Sequence, residues 1–440
     1  MNAIERDYYT DMSVLLDPYG WFEEMRAKGP VCRMANRDLW LVTGFEAAVE
    51  ILNNANDWSN AISVSGPLLP LPFAVEGDDI TDLLVEHRPE IPMSDLLVAK
   101  DGASHAQSRS LIAALFTPSR LRENQTYVTE LADKMARAVV ANRSCELISE
   151  IASPFVTYVV SDILGVPEED RDEFRKIIDA APPPGSMEAA PPPGKEIEWA
   201  AKSAELQAES SSNSPLVFMA QFFYLYIAER RATQRQDDVL SEFAHASFPD
   251  GTQPDIPELI RLATFLFGAG QDTSAKLIGN AMRYLVDIPG MQTQLRENPA
   301  LIPDFLEEVL RLEGSTKAVK RLAKRPMMVG GHQIAAGDKV VIAISAANRD
   351  PRRWEDPLEF RLKRPGIKQH LAFGRGAHTC AGAPLARYEV RIMFEKLLEH
   401  TRNIWLVEEA HGPAGERRWD WEATFSMRGL NNLYVGFDPA

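Results

Sequence analysis

The stretch HLAFGRGAHTCAGAPLARYEV, His370 to Val390, places Cys380 between glycines and just ahead of a helical pattern. A cysteine at a helix N-terminus sits in a field that favours the thiolate. Gly374, Gly376 and Gly382 let the backbone turn tightly and bring its N–H groups near the sulfur. A thiolate held this way is a nucleophile or a metal ligand, and a heme iron needs only one. A nucleophile would want a base, and His378 is two residues away. The other reading of a lone cysteine is a buried, inert one.

Bulk composition narrows the field. The chain has 440 residues, 63 acidic and 47 basic, for a net charge of −16. Such a charge repels nucleic acid and anionic membrane surfaces. The three cysteines, Cys32, Cys145 and Cys380, have no paired spacing, which argues against a disulfide framework and a structural zinc. The N-terminus, MNAIERDYYTDMSVLLDPYGWF, reads as neither signal peptide nor membrane anchor. No apolar run reaches about 18 residues, so a cytoplasmic protein without a membrane anchor is expected.

Helical periodicity dominates. The patterns predict helices over 18–28, 45–54, 104–116, 118–140, 147–164, 301–312 and 382–400. A longer one starts at Asp255 as N-cap, with Pro257 in the first turn and Glu258 at the capping-box position, and runs to Asp287. At 1.5 Å per residue it spans about 45 Å. Strands are expected in PVCRMA and LWLVTG, over 325–335 and 338–345, and in the 403–438 region. PLVFMAQFFYLYIAERR reads as a helix whose aromatics at 222–226 pack internally. No repeat or clear linker divides the chain, so one domain over 1–440 is expected, mainly α with a small β portion. The Pro-dotted 60–100 loop and the connector 181–213, which opens with APPPGSMEAAPPPG, are candidate access elements.

Phe373-Gly374-x-Gly376-x-His378-x-Cys380-x-Gly382 resembles the heme-binding signature of the cytochrome P-450 family, and APLARYE resembles the start of that family's proximal helix. The resemblance implies that Cys380 is the axial ligand of heme b (iron protoporphyrin IX), and that heme lies between the long helix and the cysteine loop. Ala269-Gly270-Gln271-Asp272-Thr273-Ser274 is similar to the family's oxygen-activation motif. Cleaving dioxygen requires protons delivered into a dry pocket, and Asp272 with Thr273 forms an acid–alcohol pair suited to that. The small Ala269-Gly270 pair would let a heme face approach. Glu308-Val309-Leu310-Arg311 matches the family's ExxR, with Arg364 as the implied third partner. The heme propionates would be met by His105, Arg109, Arg321 and His378. LEGSTKAVKR lacks a proline often found after ExxR, and Lys317 lies near expected substrate-facing positions. A solvent-facing or heme-edge role is expected for it.

The implied activity is a monooxygenase that inserts one atom of O2 into a hydrophobic small molecule such as a terpenoid, steroid, fatty acyl or aromatic ring compound. Wall positions would be Leu68 to Phe73, Phe265, Leu266, Ala269, Ala318, Val319, Phe425 and Met427, mainly apolar. The chain carries no flavin, nicotinamide or iron–sulfur signature, so a ferredoxin and its NAD(P)H-dependent reductase are the implied electron source. The docking face would surround Arg375. A peroxide-driven enzyme and a non-enzymatic heme sensor are the alternatives. The acid–alcohol pair speaks against both, since peroxide bypasses the relay and a sensor has little need of it.

Overall fold

The structure is a computed structural model that describes residues 6–179, 190–199, 215–233 and 238–440. Helices form most of it, around one large apolar cluster. At its centre runs the helix Ile256–Asp287, 32 residues long. Asp255 caps it, accepting from the Glu258 N–H at 2.7 Å. The Glu258 side chain does not close the expected capping box. It turns to the Ser108 hydroxyl and to the ammonium of Lys100 instead, tying the long helix to Gly102–Ile112.

The small β portion is a five-stranded sheet in the order Val31–Arg33, Trp40–Val42, Lys339–Ile342, Val319–Ala323, Trp58–Ser59. Trp40–Val42 pairs with Lys339–Ile342 in parallel, and the other pairings are antiparallel. A second sheet joins Ser144–Glu146, Tyr434–Pro439 and Thr401–Leu406. The expected strand at 325–335 is a hairpin, Met327–Val329 with His332–Ile334. The strand Val319–Ala323 was not expected, because KAVKRLAK reads as charged.

Several boundaries move. The helix expected over 118–140 is two, Pro118–Glu123 and Gln125–Ala141, broken at Asn124, whose amide donates to the Asp162 carboxylate. The helix expected from 147 starts as a π turn, Ile148–Ala152, before Ser153–Ile163. The 60–100 segment is built rather than open. It contains the helix Thr81–His87, and Ile80, Leu84 and Ile91 bury against Ala61, Ile62 and Leu322. The 181–213 connector lies outside the described residues except for 190–199. Phe222, Phe223 and Tyr226 pack as expected, with Phe222 edge-on to Phe174 at 4.5 Å and stacked on Tyr226 at 4.5 Å, but Tyr224, expected to pack with them, faces solvent on the other side of the helix.

Two buried charge clusters tie distant segments to one helix. Glu308 and Arg311 are both fully buried on the helix Ile302–Glu313 and pair at 2.8 Å. Arg364 donates to the same carboxylate at 2.8 Å, as does the Arg361 backbone N–H at 3.0 Å. Arg311 also donates to the carbonyls of Asn348 and Pro357. At the end of that helix, Glu313 receives Arg283 at 2.7 Å, Arg428 at 2.7 Å and the Tyr19 hydroxyl at 2.6 Å. Burial alone would raise the Glu313 pKa, but Arg428, Arg283 and Arg349 outweigh it and hold it at about 2. Replacing Glu308 with Gln leaves two buried guanidinium groups without an anion. The E308Q protein should lose about 3–5 kcal/mol in equilibrium denaturation. A denaturation midpoint equal to that of the wild type would refute this role.

Candidate active site

The cysteine turn is shaped by two left-handed glycines, Gly374 at φ 67° and Gly376 at φ 70°. A side chain on Gly376 would also collide with the Leu52 carbonyl of the helix Phe45–Asn53, so only glycine fits there. The Cys380 N–H donates to the Phe373 carbonyl at 2.9 Å, closing the turn. The helix Ala383–His400 begins three residues later. Burial raises the Cys380 thiol pKa, while the N–H groups of Gly382 and Ala383 and the charges of Arg109 and Arg387 act the other way. Arg387 lies over the Phe373 ring at 4.5 Å. Cys380 nevertheless keeps an exposed surface, although Ala383 and Leu385 just beyond it are buried.

Four groups that can carry positive charge gather beside it. The His105 and His378 rings lie 3.9 Å apart. Arg109 donates to the Thr379 carbonyl at 2.7 Å. Arg321 is buried and donates to the Lys320 carbonyl at 2.7 Å. Burial, His105, Arg321 and Arg109 together push the His378 pKa down to about 3. Burial lowers Arg321 to about 10, with Asp101 opposing. Among the described residues, none of these four has a carboxylate within ion-pair distance. A buried cation without an anion, as Arg321 is here, is costly. The donor set therefore suits a cofactor that brings its own carboxylates.

The long helix supplies the other wall. Ala269 is exposed in a helix whose neighbouring residue Phe267 is fully buried. Gly270 is not placed as expected. A side chain there would meet Val160 at 3.1 Å, so its smallness serves packing against Ser153–Ile163. The Thr273 hydroxyl donates to the Ala269 carbonyl at 2.9 Å. Asp272 pairs with Lys276 one turn on.

These positions can be set against known proteins. The sequence profile described as Cytochrome P450 matches residues 77–404. This chain belongs to the cytochrome P450 family. The cytochrome P450 monooxygenase PikC of Streptomyces venezuelae is 31% identical to it over 399 residues, covering 89% of this chain and 85% of PikC. The substrate-free structure of Mycobacterium marinum cytochrome P450 CYP150A6 matches with a TM-score of 0.89 at 41% identity, covering 100% of both chains. P450BioI, solved in complex with hexadec-9Z-enoic acid ligated acyl carrier protein, matches at TM-score 0.75 and 26% identity, covering 97% of this chain and 100% of that one. As a cytochrome P450, the protein is a monooxygenase that binds heme b. Among the described residues, no helix is long and apolar enough to cross a membrane.

Several residues of this P450 escaped the sequence reading. Lys317 is fully buried rather than solvent-facing, and donates to the carbonyls of Leu15 and Thr424. The expected wall residues divide among clusters. Leu68, Ala318 and Phe425 meet in one, Val319 packs in another, and Leu71 and Phe73 pack in the 60–100 cluster. Glu389, in the quoted APLARYE, is buried and bonded to Ser274 of the long helix, with its Oε2 unpartnered. Burial raises its pKa to about 8, and the Ser274 bond only partly opposes this. The folded protein therefore keeps a proton there between about pH 4.5 and 8 that the unfolded chain releases. This group's contribution to stability falls as pH rises through that window. The variant Glu389→Gln should lose less heat stability from pH 5 to pH 8 than the wild type. Parallel melting-temperature curves for the two would refute the assignment.

Proposed function

We propose that Cys380 is the axial thiolate of heme b and that the enzyme inserts one oxygen atom of O2 into a hydrophobic small molecule. The observation that carries this reading is the pairing of the Cys380 turn with the anion-seeking set His105, Arg109, Arg321 and His378. Phe373, Gly374, Gly376 and Gly382 shape the turn around the thiol. Arg109 and Arg321 supply the charge for two propionates, and neutral His378 and His105 supply ring N–H groups. A thiol so placed is deprotonated on binding a metal cation.

Bound heme supplies the oxygen chemistry. The overall reaction uses O2, two electrons and two protons. One oxygen enters a C–H bond of the substrate and the other leaves as water. The chain's part is to position, to exclude water and to bring protons. Asp272, half-buried, takes protons from solvent and passes them to the Thr273 side of the helix. Ala269 leaves room beside them. The resting hydrogen bond from Thr273 to the Ala269 carbonyl fixes where the hydroxyl oxygen stands.

The substrate is proposed to be hydrophobic, of terpenoid, steroid, fatty acyl or aromatic type. Ala318, Leu68 and Phe425 support this with one apolar cluster, and the acyl ligand of P450BioI is of that class. Electrons are proposed to come from NAD(P)H through a ferredoxin reductase and a ferredoxin. Arg375, which donates to the Gln369 carbonyl at 2.8 Å, and Arg387 place positive charge around the cysteine turn of an otherwise acidic chain. One domain over 1–440 carries all of these parts.

Two measurements test the reading. The reduced, carbon monoxide-treated protein should show the red-shifted Soret band of a thiolate ligand, and Cys380→His should lose it. A histidine-type band in the fresh wild-type protein would overturn the ligand assignment. The variant Thr273→Ala should load heme normally but divert electrons from product to hydrogen peroxide, with product formation down by about 10²-fold or more. Unchanged coupling in that variant would remove Thr273 from the proton path.

A further inference from the structure

Lys276 is a buried cation shared by two carboxylates from different parts of the chain. It pairs with Asp272 four residues earlier on the same helix face. On its other side it pairs with Glu422 at 3.0 Å, and Lys276 and Glu422 are both buried while Asp272 is half-buried. Glu422 opens the C-terminal hairpin, its N–H donating to the Gly429 carbonyl at 3.0 Å. Gly429 lies so close to the Lys276 stem that any side chain there would collide with it. Two more buried lysines hold the same hairpin. Lys317 donates to the Thr424 carbonyl and Lys320 to the Ser426 hydroxyl. The hairpin carries Phe425, which shares an apolar cluster with Ala318 and Leu68.

We propose that Lys276 is a positioning residue for proton delivery. It holds the Asp272 carboxylate in place and ties it, through Glu422, to the hairpin that borders the proposed substrate pocket. The inference rests on the reading of Asp272 as the proton carrier. A bare carboxylate on a helix surface samples several rotamers. A cation one turn away, its stem held against the close wall of Gly429, selects one of them. Small misplacement of a proton-transfer group is expensive in rate. Substrate-bordering and proton-delivering parts of the protein thus share one side chain.

The test uses the holoenzyme reduced by NADPH through a ferredoxin reductase and a ferredoxin, with no organic substrate added. Electrons then leave in two ways. Two electrons and two protons turn O2 into hydrogen peroxide, and four electrons and four protons turn it into two waters. Only the water branch breaks the O–O bond and depends on the extra proton delivery. Peroxide formed and O2 consumed are measured in H2O and D2O, alongside heme loading, the carbon monoxide band and the heat-unfolding midpoint.

Asp272→Asn should lower the water branch about tenfold or more. Lys276→Met should lower it about tenfold with a larger solvent isotope effect, and Lys276→Arg should restore it. Glu422→Gln breaks the same buried pair but leaves Lys276 with Asp272. It should unfold at a lower temperature, as K276M does, yet keep the wild-type partition between water and peroxide. If K276M does not yield folded protein, Lys276→Gln, whose shorter, uncharged side chain no longer holds the Asp272 carboxylate across the turn, should show the same loss. An impaired D272N beside a wild-type partition in the Lys276 variants would overturn this proposal alone. Equal loss in K276M and E422Q would also overturn it, since the lysine would then act only by packing the hairpin. A wild-type partition in D272N would overturn the reading of Asp272 and this inference with it.

Discussion

Everything around Cys380 depends on two adjacent glutamates. Glu307 and Glu308 sit side by side on the helix Ile302–Glu313, and each holds a different part of the segment that carries the cysteine. Glu308 holds Arg364 at 2.8 Å and the Arg361 N–H at 3.0 Å. Glu307 receives His370 at 3.0 Å and Arg387. His370 stands before the cysteine turn and Arg387 behind it, on the helix that follows. One carboxylate thus clamps both ends of the turn. Burial would raise the Glu307 pKa, but His370 and Arg387 hold it at about 2. Both glutamates are buried, so neither can lose its partners without stranding a charge.

The same logic runs through the interior of this acidic chain. Its excess negative charge lies outside, while the core gathers cations around a few buried carboxylates. Glu313 is shared by Arg283, Arg349 and Arg428, and Arg428 reaches on to the Leu16 carbonyl near the N-terminus. Such clusters add little net stability compared with apolar packing. Their geometry gives them another value. A guanidinium must satisfy several donors in a plane, so it fixes the relative position of segments far apart in sequence. The set of Arg109 and Arg321 with the neutral rings of His105 and His378 departs from this pattern, having no carboxylate of its own among the described residues.

The sequence is legible where local signals carry the information. The long helix starts where Asp255 and Pro257 say it should, because capping is decided within four residues. The cysteine signature and ExxR are likewise local. Long-range pairing is what escapes. Lys317 reads as a surface residue because its partners, Leu15 and Thr424, lie 302 and 107 positions away. The strand Val319–Ala323 is hidden by Lys320 and Arg321, charges that only tertiary contacts make tolerable inside. Glu307 escaped beside Glu308 for the same reason, as its partners come from the cysteine segment itself. Gly270 was misplaced because a motif gives residue identity without the direction of the missing side chain.

These buried lysines and the glutamate clamp divide the labour between the C-terminal hairpin and the cysteine turn. On the cysteine side, rigid multi-point arginine contacts hold a turn that should not move. On the opposite side, single ammonium groups hold the C-terminal hairpin at Glu422, Thr424 and Ser426, and the Arg428 guanidinium pins its returning arm to Glu313. An ammonium is a compact charge on a flexible stem and tolerates displacement of its partner better than a planar fork does. The lysine contacts at Thr424 and Ser426 therefore leave the tip that carries Phe425 freer to shift than the arm that Arg428 pins. The arginine contacts of Glu307 and Glu308 give the segment that carries the cysteine no such freedom.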